Sequence, residues 1–525
     1  MLGYHSTVSR REFMKNLGMA GAGIGAAAAL VPNFHDLDEL AASTSARKRD
    51  WWVKEVDKPT VEIDWSMMAR HHGFHSTQSA AIVARYYGIN KYNAQTMPST
   101  IDRLKKNEPG YQLRDVAIAN AASTWEGPLG FGFGSWRVLG NPVASNKAYL
   151  GYQYVATPET LGVPKWSGTP EEALNMVRAA MVAFGASDVG CGALEGDHIK
   201  LVGTHGDNIS IAYYPPKFPP PDLVIKSMVF ENVPVGYCDE KTGKYVLPSN
   251  VPLFKVSYSM PMPFEAAHTA HSQLFTVANI NRYRRDEHVM YCTLEFLRGL
   301  GYHGYSDSLY RAIPGMAGGV LSGLAENGRH TIMAISPEFG SWCGFFHLIT
   351  DLPIADTKPI DAGIWRFCKT CGVCAATCPS GSIELRGGRE PSWDPYPSSV
   401  APVDPPLPGL GWDKTTPGET DYFKTGRKTY WTDMISCAGY RRTFDPCNRC
   451  MSSCVFNSPS ASMIHDVVKG TASTTSLFNS FFARMHDAFG YTLKQGDEKE
   501  EWWNMSLPAY NISSTHGARD GGYVK

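Results

Sequence analysis

The 525-residue chain lacks a charge bias: 49 lysines and arginines stand against 50 aspartates and glutamates. No overall field steers it onto nucleic acid or an anionic membrane, and no nucleic-acid partner is expected. It also lacks an apolar run of the roughly 20 residues that a bilayer span requires. The uncharged stretch from Leu17 to Val31 is shorter and is diluted by Gly and Ala, so the mature protein is expected to be soluble or peripheral. Nucleotide-loop chemistry is missing as well. Gly127-Pro128-Leu129-Gly130-Phe131-Gly132-Phe133-Gly134 is glycine-rich, but no Gly-Lys-Ser/Thr follows it, which leaves a plain loop. The metalloprotease motif is absent too: His71 and His75 have its i, i+4 spacing, yet Gly73 lies between them and no Glu follows His71. With His72, His198, His268, His271 and His288 they read as satisfied polar side chains.

Cysteine placement is the first positive signal. Eight of the twelve cysteines fall between 368 and 454. Cys368-x2-Cys371-x2-Cys374-x3-Cys378-Pro379 is the bacterial ferredoxin run, in which three thiolates close on one four-iron cubane and the fourth crosses to a second. Cys437-x9-Cys447-x2-Cys450-x3-Cys454 repeats it with a longer first spacing. The crossover predicts two [4Fe-4S] clusters, one on Cys368, Cys371, Cys374 and Cys454, the other on Cys378, Cys437, Cys447 and Cys450. Zinc sites would use Cys-x2-Cys pairs without the third close cysteine or the Cys-Pro ending. Thiols three apart on a tight loop are also poorly placed to cross-link distant chain. Cys191, Cys238, Cys292 and Cys343 are scattered and read as small core residues.

Composition and punctuation divide the rest. Residues 1–44 read as a twin-arginine export signal, with Ser9-Arg10-Arg11-Glu12-Phe13-Met14-Lys15 ahead of the uncharged run. Export of an already folded chain suits cofactors inserted in the cytoplasm. Residues 45–165 are an irregular region rich in Trp, Tyr, Gly and Pro. Residues 166–358 read as a mixed α and β domain. Its first helix begins at Thr169-Pro170-Glu171-Glu172, where Thr caps, Pro suits the first position and Glu172 closes a capping box. Leu174, Val177, Met181 and Phe184 then recur at helical spacing before Gly185. Leu223-Val224-Ile225 and Val251 to Val256 read as strands, and a second helix is expected from about Arg284 to Leu300. Residues 359–470 carry the cysteines around a Pro-rich insertion from Glu390 to Thr420. Residues 471–525 hold an apolar stripe, Leu477, Phe478, Phe481, Phe482, Met485 and Phe489, which packs on the cluster domain or docks on a membrane partner.

The leader, the mixed middle domain, the unequal cysteine groups and the aromatic tail together resemble the catalytic subunits of corrinoid-dependent reductive dehalogenases. Thr350-Asp351-Leu352-Pro353-Ile354-Ala355 and Ile360-Asp361-Ala362-Gly363 add to the likeness. The resemblance implies an α+β fold: a nitroreductase-like corrinoid-binding domain followed by a bacterial ferredoxin-like two-cluster domain. It implies a base-off corrinoid without a histidine lower ligand, in keeping with the lack of an Asp-x-His-x-x-Gly motif. The implied reaction replaces halogen by hydrogen on a chlorinated alkene or aromatic, as the terminal reductase of organohalide respiration. The implied partners are the organohalide, a small integral-membrane anchor subunit, an electron donor of a respiratory chain and a second copy in a homodimer. Twin-arginine export would leave the protein peripheral on the outer face of the cytoplasmic membrane.

The family's proton donor is a tyrosine on the helix that ends in Leu-Gly-Tyr. Counting back from Leu300-Gly301-Tyr302 implies Tyr283, expected at the helix start, where free N–H groups and Arg282, Arg284 or Arg285 would stabilise a phenolate. Family members usually pair it with a basic residue after a Phe-Gly or Tyr-Gly step. Phe339-Gly340-Ser341-Trp342-Cys343 has none, which makes Arg329 the nearest candidate. Ser341-Trp342 resembles instead the epoxyqueuosine reductases, cytoplasmic tRNA-modifying enzymes with the same cofactors. Such an enzyme, and a non-catalytic ferredoxin-type electron carrier, are the alternatives.

Overall fold

A computed structural model describes residues 49–73, 80–88, 101–116, 149–205, 227–239, 241–306, 312–384, 390–395, 397–403, 426–443, 447–457, 463–488 and 493–504. The leader, the Gly127–Gly134 stretch, His75, Leu223–Ile225 and Phe489 lie outside them. The middle of the chain runs α1 (Pro170–Phe184), β1 (Asp188–Ala193), β2 (Ser227–Glu231), β3 (Tyr237–Asp239), β4 (Lys244–Pro248), β5 (Phe254–Pro261), α2 (Gln273–Leu300), β6 (Gly304–Ser306), α3 (Gly315–Leu321) and β7 (Cys343–Thr350).

The capping box at α1 forms as its residues dictate. The Thr169 hydroxyl accepts from the Glu172 N–H at 3.2 Å, and the Glu172 carboxylate accepts from the Thr169 N–H at 2.8 Å. Gly185 ends the helix at φ 113°, a left-handed conformation that suits glycine. The buried stripe Leu174, Val177 and Met181 then lies on a sheet of order β1-β5-β7-β6, antiparallel throughout. A smaller sheet of order β2-β4-β3 flanks it, with β2 parallel and β3 antiparallel to β4.

Strand β5 is buried over nearly its whole length, because both faces of its sheet are covered. Val256, Tyr258 and Met260 join one core with α1 and the Val289–Leu297 half of α2. On the opposite face, Cys343 and Phe345 of β7 join Val320 of α3 and a second core that contains Phe367, Cys368, Cys454, Val455 and Phe456. The sheet therefore stands between the Val289–Leu297 half of α2 and the core of Cys368 and Cys454, while Phe275 and Ala278 near the start of α2 share a core with Met451 and Cys450.

Helix α2 is longer than its sequence pattern suggests. It begins at Gln273, where the Ser272 hydroxyl accepts from the Phe275 N–H at 3.1 Å, and not near Arg284. Its first half buries Gln273, Leu274, Phe275, Thr276, Ala278, Ile280 and Arg282. A helix closed in on most sides shows no apolar stripe, so its start is silent to periodicity. Strand β5 likewise starts at Phe254, three residues past the expected Val251.

The cysteine region is carried on short helical turns: α4 (Ile364–Cys368), α5 (Val373–Ala376), α6 (Met434–Thr443) and α7 (Arg449–Ser452), followed by α8 (Asn479–Ala488). Two short ribbons lace the N-terminal described segment onto this region, pairing Lys54 with Asp361 and Ile63 with Arg427. In the aromatic tail the stripe divides: Phe482 is buried in the core shared with Cys368 and Cys454, whereas Leu477 is 84% exposed. Among the described residues, no helix is long and apolar enough to cross a membrane.

Candidate functional site: two cysteine sets and a tyrosine across one sheet

The cysteine loops are bent by residues in the left-handed region, Gly372 at φ 74° and Asn448 at φ 44°. None of the twelve cysteines forms a disulfide. The structure brings together the thiols that the spacing groups. Burial raises the Cys368 thiol, and Cys371 and Cys454 raise it further; burial raises Cys374, as do Cys371, Cys368, Cys450 and Cys454. In the other set burial pushes Cys437 up to about 12, with Cys447 and Cys378 adding to it, and Cys450 responds to burial and then to Cys437, Cys447 and Cys378. Cys374 and Cys450 pack on one small core, so the two sets adjoin.

This donor set fits cubanes. Among the described residues no three His, Cys, Asp or Glu side chains close on a single ion. A cubane does not require that, since its thiolates bind four separate irons, whereas a zinc ion would draw its sulfurs to about 2.3 Å from one centre.

Arg329 is placed at the first set and not at Tyr283, which corrects its expected pairing. Only 4% exposed, it donates from Nε to the Cys368 carbonyl at 3.0 Å and reaches the Glu384 and Lys369 carbonyls at 3.3 and 3.4 Å. Its guanidinium carbon stands 4.2 Å from the ring centroid of Tyr430. The family-like loop Phe339–Cys343 is also engaged with the cysteine region. Ser341 donates its N–H to Asn457 Oδ1 at 2.9 Å and its hydroxyl to the Met451 carbonyl at 2.8 Å, while Trp342 Nε1 donates to Ser452 Oγ at 3.4 Å.

Tyr283 lies in the middle of α2, eleven residues into the helix, where the backbone N–H groups already have helical partners. The expected support from a helix N-terminus is therefore absent. Its neighbour Arg282 supplies the cation: Nη2 donates to Tyr283 Oη at 3.1 Å, and the guanidinium carbon stands 4.7 Å from the phenol centroid. The Phe346 ring of β7 meets Tyr283 edge to face at 5.5 Å. Tyr283 and Phe346 are half-buried, whereas Arg282 is 5% exposed, with its Nε and Nη1 meeting no acceptor among the described residues.

One turn further on, Asp286 is fully buried and accepts a short hydrogen bond from the Tyr258 hydroxyl. Burial pushes its carboxyl up to about 8, against the opposing pull of Tyr258 and Arg282. Sequence reading passed over Asp286, although its i, i+4 relation to Arg282 was a usable signal. A cleft of about 620 Å3 lies elsewhere, lined by Leu294, Arg298, Tyr302 and Lys165 among others. Arg298 is roughly 22 Å along α2 from Tyr283 at helical rise, so the cleft does not serve that residue. His72 and His205 stack at 3.9 Å with no third ligand gathered among the described residues.

The comparisons agree with one another. The family model described as a reductive dehalogenase subunit matches residues 48–354. The trichloroethene reductive dehalogenase of Dehalococcoides mccartyi strain 195 is 31% identical, over 97% of this chain and 99% of its own. The chloroethene reductive dehalogenase of strain VS of the same species is also 31% identical, over 97% and 99%. A solved reductive dehalogenase, described in terms of a mechanism for B12-dependent dehalogenation, superposes with a TM-score of 0.50 at 14% identity. That match covers 87% of this chain, which spans about half (51%) of the solved one, and it shows a shared fold of mixed helix and sheet. On the family model and on nearly full-length identity, the chain belongs to the reductive dehalogenase family.

Proposed function

We propose that this reductive dehalogenase replaces halogen by hydrogen on a chlorinated alkene or aromatic, at a base-off corrinoid fed by two [4Fe-4S] clusters. The observation that carries the reading is the arrangement about the β1-β5-β7-β6 sheet: the core of Cys368, Cys371 and Cys454 on one face, with the second set of four thiols adjoining it, and a phenol hydrogen-bonded to a buried arginine toward the other. The overall change, R–X + 2e− + H+ → R–H + X−, needs both an electron supply and an acid.

Cys368, Cys371, Cys374 and Cys454 would hold one cluster and Cys378, Cys437, Cys447 and Cys450 the other; bound there, the clusters supply electrons singly. A corrinoid supplies cobalt chemistry for breaking the carbon–halogen bond. Tyr283 donates the proton from Oη. The Arg282 guanidinium stabilises the phenolate left behind. Because burial favours the neutral carboxyl of Asp286, that residue competes less for the guanidinium charge. A half-buried phenol above closed-off charges suits a small apolar halocarbon beside one proton donor, and the solved B12-dependent relative supports the corrinoid.

The remaining organisation belongs to the same reading: a leader over 1–44, an irregular region over 45–165, a nitroreductase-like corrinoid domain over 166–358, a ferredoxin-like domain over 359–470 and a tail over 471–525. Its setting is the outer face of the cytoplasmic membrane after twin-arginine export. There a small membrane anchor, a respiratory electron donor and a second copy would be partners in organohalide respiration.

Metal analysis of the purified protein, paired with Tyr283→Phe, tests it. The expected result is roughly eight irons and one cobalt per chain in both forms, with turnover of chlorinated alkenes or aromatics lost in the variant. Eight irons without cobalt would leave only an electron carrier, and full turnover in the variant would remove Tyr283 as the acid.

A further inference from the structure

Arg329 is a buried cation whose described partners are three carbonyl oxygens and an aromatic face. No carboxylate among the described residues forms an ion pair with it. Glu326, three residues earlier, directs its carboxylate to the N–H groups of Ala362 and Ile364 at 2.7 and 3.1 Å and to the Thr60 hydroxyl at 2.8 Å. Burying a guanidinium without a counter-charge costs several kcal/mol in general, and folded proteins rarely leave one so. The segment that carries it runs against the first cysteine set: a Cβ placed on Gly328 would lie 3.7 Å from Cys368 Sγ.

A four-iron cube ligated by four thiolates carries net negative charge, and one more negative unit once reduced. We propose that Arg329 is the counter-charge of the cluster held by Cys368, Cys371, Cys374 and Cys454, and that it sets that cluster's reduction potential above what the thiolates alone would give. The inference rests on the cluster reading above. A cation fixed on the Cys368 carbonyl, away from water, favours the more negative reduced state, and net charge and hydrogen bonding are the levers by which a protein moves such a potential. The guanidinium fork also grips the Cys368, Lys369 and Glu384 carbonyls, so charge and loop geometry are delivered by one side chain. Arg329 is thus a positioning and tuning residue, remote from Tyr283.

The test is a potentiometric titration followed by electron paramagnetic resonance, on the holoprotein with iron counted, for wild type, Arg329→Gln and Arg329→Lys. In the Gln variant one of the two couples is expected to fall by at least tenfold in its reduction equilibrium, about 59 mV for a one-electron couple, while the other holds. The Lys variant, which keeps the charge, is expected to hold its couple close to wild type. Unchanged couples in a Gln variant with full iron overturn the proposal. If the Gln variant loses iron, the Lys variant decides: a wild-type couple supports the proposal, and a tenfold fall despite the retained charge overturns it. Wild-type protein without four-iron signals would overturn the cluster reading itself, whereas intact clusters with unmoved Gln couples overturn only the role of Arg329.

Discussion

Replacing Arg282 by methionine isolates what the guanidinium does for Tyr283. The hydrogen bond from Nη2 to the phenol oxygen is 3.1 Å long and charge-assisted. Bonds of that kind contribute about 2 kcal/mol, and this one strengthens as the phenol becomes a phenolate. Loss of it in the transition state lowers kcat/KM roughly thirty-fold. Folding should respond differently. Arg282 Nε and Nη1 are buried without acceptors among the described residues, so methionine of similar length removes two unsatisfied donors, and stability should change by about 1 kcal/mol or less. The assay is anaerobic turnover with a reduced dye, at equal cobalt and iron loading, alongside a thermal unfolding curve. The fall should appear in kcat, with KM for the halocarbon little changed and partial recovery in Arg282→Lys. Turnover within twofold of wild type at full loading would refute the pairing, and a parallel collapse of stability would make Arg282 structural.

His347 and Gly340 yield two further tests. Burial lowers the His347 imidazole to about 3 while Nδ1 sits 2.9 Å from Ser257 Oγ, so the folded state holds it neutral. Its folded pKa lies below the ordinary value near 6.5, so stability is complete above that pH and is lost as the pH falls. Between pH 7 and 5 the loss from this one group is about 2 kcal/mol. Unfolding curves should show His347→Gln losing less over that interval than wild type, and an identical slope would refute the assignment. Gly340 stands at φ 65°, and a Cβ there would lie 2.4 Å from Asn457 Oδ1 and 2.6 Å from its backbone N. Gly340→Ala should cost at least about 1–2 kcal/mol and, since Asn457 follows Cys454 by three residues, should also lower iron content. A variant with wild-type Tm and iron would contradict this.

What could be read from the sequence follows from where its signals are local. The α1 capping box, its buried stripe and its Gly185 stop are written within 17 consecutive residues, and each is found where its chemistry puts it. The cysteine spacing is equally local within each half, and only their meeting across the 378 to 437 gap needed the fold. The start of helix α2 is not legible in the sequence, because burial on most sides erases the apolar stripe that marks a surface helix. Tyr283 is legible only through resemblance, and of the supports its sequence offers, Arg282 reaches it while the helix start does not. Arg329 carried no readable pattern at all: its partners are carbonyls from 39 to 55 residues away.

Strand β7 gives the molecule an internal ruler. Phe345 packs toward the cysteine region and the next residue, Phe346, packs against Tyr283. Adjacent side chains on opposite faces of one pleated strand thus link the core of Cys368 and Cys454 to Tyr283. From Ser341, bound to the Met451 carbonyl, to Phe346 the backbone covers only five residue steps, roughly 17 Å. Inserting or deleting a single residue there would turn the phenyl contacts to the wrong faces. Variation in halocarbon preference among such chains is therefore expected in the loops around this strand, with the strand's own length held fixed.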